Sequence, residues 1–145
     1  MLTFTPSNWF NYQTVVLAAA EDSDVINGTS IITIDGNGVG DLNEKDITLS
    51  DVDNDSQNFI VNSQSITVPE RGTKSFYVKL AYMPASTVNV SISKLAGGDE
   101  NISIQTEQLS FSPSDYNQYK PVTITASDDT DTTNDQAIIR VSSPG

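Results

Sequence analysis

Apolar and polar residues alternate with period two along most of the chain, and no stretch carries a helical period. Phe76, Val78 and Leu80 alternate with Ser75, Tyr77 and Lys79, and Val88, Val90 and Ile92 alternate with Asn89, Ser91 and Ser93. Val122, Ile124 and Ala126 alternate with Thr123 and Thr125, while Ile139 and Val141 flank Arg140. Val15, Leu17 and Ala19, and then Ile32 and Ile34, repeat the pattern near the start. Such short runs, rich in Val, Ile and Thr, read as half-buried strands. The breaks carry turn chemistry: Pro69-Glu70-Arg71-Gly72, Met83-Pro84-Ala85, Gly97-Gly98-Asp99, Ser112-Pro113-Ser114 and Asn27-Gly28. Strands at this spacing, with no helices between them, predict an all-β antiparallel sandwich.

The end of the chain repeats its beginning. Leu2–Gly38 aligns without a gap on Leu109–Gly145, an offset of 107 residues, with 13 identities in 37 positions. Trp9 falls on Tyr116, Leu17 on Ile124, Glu21 on Asp128 and Ile34 on Val141. A fixed period of this size marks a tandem array of sandwich-sized units. Residues 59–68, 74–81, 87–94, 102–111 (one strand or two short ones), 121–127 and 136–142 supply six strands of a unit of about seven. Ile47–Asp51 supplies the seventh, from the earlier copy. Residues 1–55 then form the C-terminal half of one repeat, and 56–145 the next repeat without its last strand. The chain reads as a window on a longer repetitive protein. Unfinished sandwiches expose strand edges, to be completed by the rest of the parent or by strand exchange between chains.

Composition narrows the function. There is no cysteine for a disulfide or thiolate site, and no histidine to serve as general base or transition-metal ligand. Nineteen acids against 7 bases give a net charge of −12, which disfavours nucleic acid and anionic membranes as partners. No apolar run is long enough to span a bilayer, so no membrane insertion is expected. No basic region and apolar core precede the first strand pattern, as a secretion signal requires. Abundant Ser, Thr and Asn with few Lys suit an extracellular, bacterial cell-surface protein. The acids gather in runs: Glu21-Asp22-Ser23-Asp24, Asp51-Val52-Asp53-Asn54-Asp55 and Asp128-Asp129-Thr130-Asp131. Clustered carboxylates repel unless a cation or water screens them.

Val68-Pro69-Glu70-Arg71-Gly72 before the strand Ser75–Leu80, then Leu109-Ser110-Phe111-Ser112-Pro113, Asp128-Asp129-Thr130-Asp131 and Asp51-Val52-Asp53-Asn54-Asp55 resemble, in order and spacing, the Calx-β repeat. Calx-β-like units occur in bacterial surface proteins and in multidomain polysaccharide-degrading enzymes. The resemblance covers nearly the whole chain and implies an immunoglobulin-like Greek-key β-sandwich. It also implies Ca²⁺ at one pole, held by Glu70, Asp128, Asp129 and Asp131, with Asp51 and Asp53 ending the preceding unit. Calcium takes six to eight oxygen ligands on adaptable loops, which suits these positions. The chain departs from the family after the acidic turn: Thr132-Thr133-Asn134-Asp135 and Val25-Ile26-Asn27-Gly28 stand where calcium-binding members carry further Glu residues. The same acids also read as turn residues capping local backbone.

A further acidic stretch, Asp35 to Asp46, partly matches a calcium loop, but Val39 occupies an oxygen position and no helices flank it. It reads as a loop between the sixth and seventh strands. No nucleophile elbow or phosphate-binding glycine loop is present, and carboxylates on repeat-equivalent turns form no catalytic pair, so no enzyme is expected. The expectation is a structural or spacer repeat of an extracellular surface, adhesin or filament protein, stiffened by Ca²⁺ at its junctions. Its partners are neighbouring repeats of the same protein or, by strand exchange, further copies. The alternative is a carbohydrate-binding module on a polysaccharide-degrading enzyme, with Trp9, Tyr12, Tyr116 and Tyr119 as the sugar-stacking platform.

Overall fold

The computed structural model describes residues 1–36 and 43–143. Among them the chain is all-β: β1 (Thr29–Ile34), β2 (Lys45–Ser50), β3 (Phe59–Val61), β4 (Thr73–Leu80), β5 (Val88–Lys94), β6 (Ile102–Ile104), β7 (Gln108–Phe111), β8 (Lys120–Ala126) and β9 (Ile139–Ser142). No helix of the described residues is long and apolar enough to cross a membrane.

Residues 59–142 make a β-sandwich. One sheet has four strands in the order β3-β4-β8-β6, the other three in the order β7-β5-β9, and all pairings within them are antiparallel. Each strand turns one parity of its alternation inward, as the pleat requires. Phe76, Val78, Leu80, Val122 and Ile124 from the first sheet meet Val90, Ile92 and Phe111 from the second. Full burial of an aliphatic or phenyl side chain contributes about 1.5–3 kcal/mol. Facing outward, Ser75 bonds Thr123 across the β4–β8 pair at 3.0 Å, and Ser103 bonds Thr125 across β6–β8 at 2.6 Å.

The expected strand over 102–111 is two short ones in different sheets. The chain crosses between them at Gln105–Glu107, where the Gln105 N–H donates to Thr123 O and the Ile92 N–H donates to Glu107 O. The expected strand 59–68 stops at Val61. At Pro69–Gly72 the turn closes through the Gly72 N–H on Pro69 O, with Arg71 at φ 56°.

The earlier part of the chain is built differently. β1 and β2 form an antiparallel hairpin with Ile32 opposite Ile47, and Thr33 Oγ1 donates to Asp46 Oδ1 at 2.7 Å. Residues 15–20 form no strand despite their alternation. Their counterpart β8 lies between β4 and β6, and among the described residues no such neighbours flank 15–20. An extended segment without a hydrogen-bonding partner gains no ladder.

The preceding turn nevertheless recurs in detail. The Asn8 N–H donates to Thr5 O and the Asn11 N–H to Asn8 O; the Asp115 N–H donates to Ser112 O and the Gln118 N–H to Asp115 O. In both turns the residue three places on accepts from the opening residue, Asn8 Oδ1 from Thr5 and Asp115 Oδ1 from Ser112.

Candidate metal centre

The two acidic turns are also built alike. The Asp24 N–H donates to Asp22 Oδ1 and the Ile26 N–H to Asp24 Oδ1, at 3.1 and 2.8 Å. The Asp131 N–H donates to Asp129 Oδ1 and the Thr133 N–H to Asp131 Oδ1, at 2.9 and 2.6 Å. Each carboxylate thus spends one oxygen on local backbone and fixes the direction of the other. The surroundings of the two turns differ.

In the earlier turn the Asp51–Asp55 segment closes over the acids. Asp22, Asp24 and Asp53 each bring an oxygen within 4.8 Å of the others. Asn27 positions Asp53 by accepting its N–H at 2.8 Å, and the Asp51 N–H donates to Gly28 O at 3.2 Å. A Cβ on Gly28 would stand 2.7 Å from Asp51 Oδ1, so glycine is what lets that carboxylate lie there. Asp51 Oδ1 is itself buried and has no hydrogen-bond partner. Asp22, Asp51 and Asp53 line a cleft of about 80 Å³ together with Glu21 and Asp55.

The cleft sits where the two parts of the chain join. Ser23 O accepts the Met83 N–H at 2.9 Å, and Asp24 bridges Met83 in parallel. Gln57 holds the same segment from the other side, donating to Tyr82 O and accepting the Tyr82 N–H. The Tyr82 hydroxyl donates to Asp55; that bond, with the charges of Asp55, Asp53 and Glu21, holds the phenol above its usual 10.0.

In the later turn the acids are already partnered. Asp128 pairs with Arg71, beside exposed Glu70, and Asp129 Oδ2 accepts from Asn101 at 3.3 Å. The carboxyl of Asp135, which occupies the place of Gly28, is raised from its ordinary value by desolvation and then by the charge of Asp99. The sequence-predicted ligands therefore fall into two groups. Asp53 gathers with Asp22 and Asp24, and Asp51 lines the adjoining cleft, whereas Asp128 pairs with Arg71, Asp129 with Asn101, and Asp131 accepts from the Thr133 N–H. Asp22 and Asp24 were not among the predicted ligands; the internal repeat, which sets them on Asp129 and Asp131, is the signal that points to them. Of the second calcium-loop match, residues 37–42 lie outside the described residues.

The donor set around Asp53 fits a hard divalent cation. It offers carboxylate oxygens only, one buried oxygen lacks a partner, and the cleft leaves room for water to complete a shell of six to eight oxygens.

The four residues of the predicted sugar platform differ in their surroundings. Trp9 and Tyr12 are exposed, with Trp9 edge-on to Phe10 at 5.8 Å. Tyr116 packs against the sandwich core, and Lys79 Nζ covers the Tyr119 ring at 5.1 Å. No family model matches the chain, and neither a curated protein nor a solved structure matches it.

Proposed function

We propose that the chain is a non-enzymatic, Calx-β-like structural unit of an extracellular tandem array, in which a calcium ion at the joint between consecutive β-units stiffens the connection. The observation that carries this reading is the convergence of Asp22, Asp24 and Asp53, with the unpartnered Asp51 oxygen, at the segment that ties the earlier unit to Met83 of the later one. These acids come from two loops separated in sequence, so a cation bridging them favours the closed joint over the open one. Asp22, Asp24, Asp51 and Asp53 would hold the ion; Asn27 and Gly28 position two of them. The ion supplies charge neutralisation and a fixed angle between units.

Thermal melts in excess calcium, in chelator, and in sodium chloride of matched ionic strength test the reading, followed through far-ultraviolet circular dichroism. A ligand that binds only the folded state adds about 2.7 kcal/mol at a hundred times its dissociation constant. The melt is expected to rise with calcium alone, to lose the rise on Asp22→Asn with Asp53→Asn, and to keep it on Asp128→Asn with Asp129→Asn. A melt indifferent to calcium would reduce the cluster to solvated turn residues and leave a plain spacer.

A further inference from the structure

Among the described residues, the earlier unit carries a core face with nothing on it. Phe4, Val15 and Leu17 stand in the repeat where Phe111, Val122 and Ile124 stand, yet they are 55%, 55% and 51% exposed against 0%, 0% and 2%. Leu2, in the place of partly buried Leu109, is 41% exposed. Between Leu17–Ala19 on one side and Thr29–Ser30 with Leu49–Ser50 on the other runs an open groove of about 440 Å³. In the later unit the corresponding side chains, Phe111, Val122 and Ile124, are sealed in one cluster with Phe76, Val78 and Leu80 of β4 and Val90 and Ile92 of β5. Trp9 fits the same comparison. Its counterpart Tyr116 packs on the core and accepts the Leu80 N–H at its carbonyl, 2.9 Å away, whereas Trp9 is open to solvent. An apolar strip of this kind on an otherwise acidic, polar chain marks a contact surface.

We infer that this face is the docking site for a three-stranded segment of the β3–β5 type belonging to a preceding repeat. The later unit defines the occupant's chemistry: a β3–β4 antiparallel pair for one sheet and a β5 strand for the other, with aliphatic or phenyl side chains at alternate positions of β4 and β5, and β4 ending where its backbone N–H reaches Trp9 O. A second copy of this chain does not supply it. Each chain holds one β3–β5 set, and Val78, Leu80 and Val90 are already sealed in the later core. Withdrawing them would uncover Phe111, Val122 and Ile124 in exchange. The inference rests on the tandem-repeat part of the proposed function and is independent of the cation, so its test is run in chelator; a calcium response without docking, or docking without a calcium response, tells the two apart.

The experiment uses the chain with residues 56–107 repeated ahead of Met1, which places the added copy in the register of the repeat. Trp9 is the one tryptophan, so its emission reports on the earlier unit alone. Relative to the unextended chain, Trp9 emission is expected to move to shorter wavelength, its quenching by acrylamide to fall, and the earlier unit to gain a cooperative unfolding transition. Val78→Asp with Leu80→Asp in the added copy alone is expected to abolish all three changes while the later unit still unfolds cooperatively. Unaltered Trp9 emission in a folded extended chain overturns the inference, as does a shift that survives the aspartates. Trp9 shielding that appears in the unextended chain as its concentration rises also overturns it, because a second copy is then the occupant. If the extended chain precipitates, a peptide of residues 56–107 titrated into the unextended chain gives the same Trp9 readout, and unchanged emission at saturation counts against the docking.

Discussion

Phe4 and Phe111 are the same residue type in the same place of the repeat, and their surroundings differ completely. Phe111 lies between the sheets under the Lys120 ammonium, whose Nζ is 4.8 Å from the ring centre, while Phe4 is exposed. Removing a buried phenyl group costs about 3–5 kcal/mol, and an exposed one about 0.5 kcal/mol or less. Phe111→Ala should therefore lower the urea midpoint of the later unit steeply and Phe4→Ala hardly at all; equal losses would mean that Phe4 is covered in solution. Asp115 gives a second test at this scale. Its carboxylate takes hydrogen bonds from Lys120 and from the Ser112 N–H and hydroxyl, which lower its pKa from 3.8 to about 2. A depressed carboxylate stabilises the fold above its unfolded pKa and loses that contribution as pH falls through the folded one. Urea midpoints should thus fall between about pH 4 and pH 2 through this group. Asp115→Asn should already lack that contribution at pH 6 and show a shallower acid slope; parallel slopes would remove Asp115 from the account. The Ser112–Asp115 spacing was legible in the sequence because it recurs as Thr5–Asn8. The partnering of Asp128 by Arg71 was not, since it brings together two turns far apart in the chain.

At the scale of elements, alternation located β4, β5, β8 and β9 because each has one face on the core and one on solvent. It over-read residues 15–20, where the side-chain pattern is that of a strand but the neighbouring strands are missing. It left 102–111 open between one strand and two, since Gln105–Glu107 changes sheets and the pattern alone does not record a change of partner. The acidic runs were equally legible as runs, and their grouping depended on Asp51–Asp55 folding back over Asp22 and Asp24. Gly28 tests that grouping. An added methyl group meets the Asp51 carboxylate at a distance real contacts do not reach, so the carboxylate must move. Gly28→Ala should raise the calcium concentration needed for the thermal shift, by about tenfold if the displaced ligand is worth about 1.4 kcal/mol. The melt in chelator should stay near that of the parent chain. A calcium midpoint that does not change would exclude Asp51 from the site.

Across the whole molecule, 12 net negative charges and a joint lined with carboxylates set up a balance that ions can tip. Two unit charges 4 Å apart repel by about 1 kcal/mol in water and by more near a protein surface. Three carboxylates held within 4.8 Å therefore push the two loops apart wherever no cation lies between them. Against that repulsion the joint has the Met83–Ser23 and Gln57–Tyr82 hydrogen bonds and the Tyr82–Asp55 contact, which are local and partly exposed. Small-angle scattering in chelator at low salt should show a broad distribution of inter-unit distances, and millimolar calcium should narrow it. Sodium chloride separates the two causes of narrowing. Screening at about 10 Å in 0.1 M salt weakens exposed repulsions generally but does not bridge two loops, so matched sodium should narrow the distribution less than calcium does. Asp22→Asn with Asp53→Asn removes both repulsion and ligands, and its distribution should be the same in calcium as in chelator. If sodium matches calcium in the parent chain, the joint responds to charge density alone and the bridging ion is ruled out.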